Sequence, residues 1–82
     1  MKDPNNREMM RDFYRLYEKY ETYPEGLTKE EVDPYWMKIG EDCDMFMTKW
    51  RGNKMAIYLS IALLDAREGE YIEINHIRKT EV

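Results

Sequence analysis

Three stretches of the chain repeat their apolar residues at helical intervals, and glycine and proline separate them. In the first, Met9, Phe13, Leu16, Tyr17 and Tyr20 form one stripe on a helical wheel. Asn5 or Asn6 can cap its start, and Pro24 and Gly26 close it, which predicts a helix over about 6–23. In the second, Trp36, Ile39, Gly40, Cys43, Phe46, Met47 and Trp50 make the cleanest stripe of the three. Asp33-Pro34 offers a capping acceptor followed by proline at the first helical position, and Lys49, Arg51 and Gly52 suit a C-terminus. A helix over 34–51 follows. Upstream, Thr28 to Glu31 has capping-box spacing and is expected to nucleate one short turn only.

The third stretch predicts a helix over about 54–68, closed by Gly69. Met55, Tyr58, Leu59, Ala62, Leu63 and Ala66 share one face, whereas Ile57, Ile61 and Leu64 cluster on the opposite side. The tail, 70–82, alternates partly through Tyr71, Ile72, Glu73, Ile74, Asn75, His76 and Ile77. It reads either as a short strand or as an extra helical turn.

These elements imply an all-α fold class: one domain over 1–82, a small three-helix bundle with a short C-terminal tail. Each helix of such a bundle buries about one face, so Ile57, Ile61 and Leu64 need a second cover. Leaving them in water forgoes roughly 1.5–3 kcal/mol each. Either the tail folds back, laying Ile72, Ile74 and Ile77 over them, or another chain does so, a homodimer included. The pattern leaves both open.

Composition narrows the function classes. Eighty-two residues make one domain, and 43% hydrophobic content supports a core. A charged fraction of 37% and a mean hydropathy of -0.86 exclude an integral membrane protein. Seventeen acids against 13 bases give a net charge of -4, so nucleic acid is not the expected partner. A single cysteine excludes a disulfide framework and a cysteine-built zinc site. With no apolar run behind Lys2 and no membrane-length segment, the expected location is the cytoplasm.

Few residues invite chemistry. In Glu41-Asp42-Cys43-Asp44 the two aspartates point to different sides of a helix, so the run reads as a solvated face rather than a metal site. Cys43 lies inside the apolar stripe without a flanking cation, and His76, the one histidine, is its only conceivable base. The glycines form no phosphate-cradling loop and no serine sits in a nucleophile elbow. No catalytic residue, metal or cofactor is expected, and the chain reads as a non-enzyme. Arg7, Arg11, Arg15 and Lys19 recur every four residues beside Tyr14, the alternative site for a nucleic-acid contact. Acids on the same arc, Glu8, Asp12 and Glu18, are expected to neutralise that stripe in part. Tyr14 and Tyr35 are candidate exposed aromatics, which interfaces favour.

Asp12 to Tyr20, Pro34-Tyr35-Trp36, Asp42 to Lys49 and Ala62 to Tyr71 stand in an order that resembles a group of small helical proteins encoded in phages and prophages of Gram-positive bacteria. The likeness covers most of 12–71 and leaves out the histidine-bearing tail. It implies a mobile-element origin, a bacterial host cell, and a role in which short acidic proteins block host enzymes by binding them. It carries no catalytic residue. The expected function is therefore a protein-binding module of the accessory or inhibitor kind, with Ile57, Ile61, Leu64, Tyr14 and Tyr35 as its interface.

Overall fold

A computed structural model describes the backbone of residues 6–80 and the side chains of residues 6–75. It contains α1 (Asn6–Lys19), α2 (Lys29–Lys49) and α3 (Lys54–Thr80), with no strand among the described residues. The chain runs up, down and up, so α1 and α3 are parallel and α2 is antiparallel to both. Three cross-bundle pairs mark this: Asn6 with Asn53 at one end, Asp12 with Lys49, and Tyr20 with Arg67 at the other.

The core follows the first two stripes except at Tyr17, which is exposed at the edge of the α1 stripe. Met9 and Leu16 from α1, with Tyr20 just past its end, meet Ile39, Cys43 and Phe46 from α2, and Ala56 and Leu63 from α3 complete the layer. Phe13 stacks obliquely on Phe46, ring centres 5.8 Å apart. Above this layer Tyr20, Tyr23, Tyr35, Trp36 and Tyr71 form an aromatic cluster where α1 ends and α2 begins.

Element boundaries differ from expectation in three places. α1 ends at Lys19, and Tyr20 to Tyr23 continue as turn and bend. α2 starts at Lys29, five residues before the expected position, and carries Pro34 inside it. Glu31 stabilises that early start by accepting hydrogen bonds from the Thr28 N–H (3.1 Å) and hydroxyl (3.0 Å). Pro34 removes only the bond to the Glu30 carbonyl, and Glu30 is exposed, so water replaces the missing donor. The signal at Thr28, not the one at Asp33-Pro34, sets the N-terminus.

The largest difference is α3, which passes Gly69 without a break and continues to Thr80. Asn53 caps its start, the side-chain oxygen accepting from the Met55 and Ala56 amides at 3.0 and 3.3 Å. Tyr71 packs on Tyr23 and Trp36, so helix beyond Gly69 is held by tertiary contact. The tail is thus helical as far as Thr80, the last residue of it described, and neither a strand nor a flap there. It cannot fold back over Ile57 and Ile61, because Ile72 and Ile74 belong to the same rigid rod, about three to five turns further on. Ile77 has its side chain outside the described residues.

A Cβ added at Gly69 would meet nothing within 4 Å, and the residue has no positive φ. Gly69→Ala is therefore expected to raise stability by about 1 kcal/mol, the helix-propensity difference. Urea denaturation reads this directly, and a destabilised variant would mean that α3 is broken at Gly69.

Candidate interaction surfaces

The buried edge of α3 is Ala56, Ser60, Leu63 and Arg67. This is rotated by about 100° from the face that apolar pattern alone selects. Met55, Tyr58, Ala62 and Ala66, expected in the core, are exposed. Ile57 and Ile61 are exposed, at 42% and 48%, so the cover expected for them is supplied by no described part of this chain. Leu64 is not exposed: it is half-buried and packs against the core, which removes it from the candidate interface. The uncovered apolar row on α3 is therefore Met55, Ile57, Tyr58 and Ile61, with Ile72 exposed further along. Lys54 begins the row, and Asp65 and Glu68 follow it.

The buried edge holds two polar residues, and the bonds of one of them, Arg67, explain the rotation. Arg67 is only 8% exposed and works across the bundle. Its Nη1 donates to the Tyr20 carbonyl (2.7 Å) and to the Glu21 carbonyl, just past the C-terminus of α1. Its Nε lies 3.1 Å from a Glu70 carboxylate oxygen, which also accepts the Tyr23 N–H at 2.7 Å. A cation at a helix C-terminus meets the carbonyls that the helix leaves unpaired. Ser60 is fully buried, and its hydroxyl has no hydrogen-bond partner among the described residues.

On α1, Arg7, Arg11, Arg15 and Lys19 are all exposed. The expected neutralisation is slight: Arg15 is 3.9 Å from Asp12, and Arg7 and Arg11 form no ion pair among the described residues. Lys19 is taken up instead by Asp42 at 3.0 Å. Tyr14 is exposed, its ring 6.1 Å from that of Tyr17. Tyr35 is not the exposed aromatic expected. It is half-buried among Tyr20, Tyr23 and Trp36, with its hydroxyl enclosed.

Asp12 and Asp42 tie α1 to α2. Asp12 accepts from Lys49 (2.7 Å) and the Trp50 indole (2.9 Å), and Asp42 accepts from the Tyr20 hydroxyl (2.5 Å) and Lys19. The bond from Lys49 holds the Asp12 carboxyl below its usual range, and the bond from Tyr20 does the same for Asp42. A carboxyl depressed in the fold contributes stability above its unfolded pKa and loses it as pH falls through the folded value. Stability is expected to decline from about pH 4 downward. Asp12→Asn should flatten that decline in urea midpoints measured against pH; an unchanged slope would remove Asp12 from the account.

Cys43 is buried, and burial pushes its thiol up to about 11, the opposite of what a nucleophile needs. The His76 side chain lies outside the described residues. Among the described residues no group of three or more His, Cys, Asp or Glu could hold a metal ion. No helix there is long and apolar enough to cross a membrane.

No family model, curated protein or solved structure matches this chain.

Proposed function

We propose that this chain is a small non-enzymatic protein-binding module that acts by contact through the outer face of α3. The row Met55, Ile57, Tyr58 and Ile61 carries this reading: four large apolar side chains left in water on two turns of one helix. Single exposed aliphatics are ordinary on a small protein, but four large apolar residues within two turns, a 67% exposed tyrosine among them, are what interfaces use. The resemblance to phage and prophage proteins supplies the finer part: an accessory protein that occupies a surface of a host enzyme in the bacterial cytoplasm.

The test is a paired capture from bacterial extract with the native chain and an Ile61→Asp variant. Ile61 is exposed, so circular dichroism should show the variant folded. Proteins retained by the native chain and lost with the variant support the reading. Equal retention by both contradicts it.

Arg7 and Arg11 favour a second reading, a nucleic-acid-associated regulator. They form no ion pair among the described residues and stand beside Met10, Tyr14 and Arg15 along one open groove of α1. Phosphate-driven binding is strongest at low salt, so a gel shift there with duplex and single strand decides it. The protein-contact reading expects no shift. A shift abolished by Arg7→Ala with Arg11→Ala would replace it.

A further inference from the structure

Charge order along the uncovered face of α3 specifies its occupant. We infer that a second copy of this chain docks there, antiparallel about Ile61, so that Lys54 of each protomer faces the partner's Glu68. The inference rests on the binding reading above and gives it a partner.

Lys54, Ile61 and Glu68 are spaced by seven residues each, and at 100° per residue they drift by only about 40°. Tyr58 and Asp65 fall beside them, so all five lie within about 80° of arc, on the side of α3 away from Ala56, Ser60, Leu63 and Arg67. Lys54 and Glu68 are exposed, and neither forms an ion pair among the described residues. Each stands about 10.5 Å along the axis from Ile61, on opposite sides.

A two-fold axis through Ile61 uses this symmetry. It stacks Ile61 on its equivalent and sets the positive end of each seam against the negative end of the other. It also brings Tyr58 opposite the partner's Asp65, where the phenol can donate to the carboxylate. A parallel pair does the reverse, placing Lys54 on its equivalent, Asp65 on Asp65 and Glu68 on Glu68. Like charges meet at three levels, so the parallel pairing is disfavoured. The antiparallel contact spans Lys54 to Glu68, about 21 Å of helix. Ile72 then lies past the end of the partner's helix and outside the contact. Four turns on each side make a short contact beside stable interfaces, which bury about 1,200 Å² or more in total, so the dimer is a reversible one.

Cysteine cross-linking reads both contact and direction. Native Cys43 is buried and stays in place. Ile61→Cys should form a disulfide-linked dimer alone under mild oxidant. Lys54→Cys and Glu68→Cys should not cross-link singly, yet an equimolar mixture of the two should. Cross-linking at all three positions singly would mean a parallel pair and overturn the inference. So would a protein that sediments as a monomer up to high micromolar concentration and cross-links nowhere; capture of other proteins through Ile61 would survive that result. As a second readout, Lys54→Glu should weaken dimerisation about tenfold, and adding Glu68→Lys should restore it. An acid at the first position of α3 suits the helix dipole, so the Lys54→Glu chain stays folded. A double variant no tighter than the single would also overturn the pairing.

Discussion

Arg67→Met is expected to cost about 2–4 kcal/mol of folding stability, a large part of what a domain of this size possesses. Methionine keeps most of the apolar stem, so the loss reports the guanidinium and not its packing. Without it the Tyr20 and Glu21 carbonyls lose their donor at the end of α1, and the Glu70 carboxylate loses its cation. Each enclosed acceptor left unpaired costs about 1–3 kcal/mol. Glu70 is more open to water and recovers part of its share. Urea denaturation of both proteins at pH 7 measures the difference. A loss under about 1 kcal/mol would show that water replaces the guanidinium, and that Arg67 is dispensable to the bundle.

Ile39→Ala should be as damaging, at about 2–5 kcal/mol, because Ile39 is fully buried at the centre of the core and alanine leaves a cavity between three helices. The control is the same substitution at Ile57. In dilute, monomeric protein Ile57→Ala should change stability by less than about 0.5 kcal/mol, since its side chain is already in water. Thermal or chemical unfolding of the two variants side by side would separate them clearly. Equal losses would mean that Ile57 is packed and that the outer face of α3 is not free.

How far the sequence reveals this structure differs from helix to helix. The stripes of α1 and α2 are legible because their buried positions are occupied by large apolar residues, from Met9 to Tyr20 and from Ile39 to Phe46. α3 is misread in phase for a physical reason. Its buried edge contains Ser60 and Arg67, which pattern reading assigns to solvent, while its greasiest positions face water. Arg67 is buried because it satisfies carbonyls about 46 residues away in sequence, and no local periodicity reports such a partner. The run through Gly69 is hidden for a related reason: Tyr71 is anchored by Tyr23 and Trp36, contacts that outweigh a weak local helix signal. The surplus of apolar residues on α3 was legible, and Ile57 and Ile61 are where that surplus emerges. Leu64 and Tyr35 were not, since each sits at a boundary where a neighbouring helix or ring decides exposure.

Isoleucine methyl NMR tests the contact role of α3 most directly, because the chain places Ile39 in the core, Ile57 and Ile61 on the outer face, and Ile72 beyond the inferred contact. Spectra of methyl-labelled protein would be recorded from dilute to concentrated, and then in bacterial extract. The account predicts that the Ile57 and Ile61 signals shift or broaden with concentration while Ile39 and Ile72 hold their positions. If Ile57 and Ile61 stay unmoved in both series, no partner occupies this face and the binding role assigned to it is wrong.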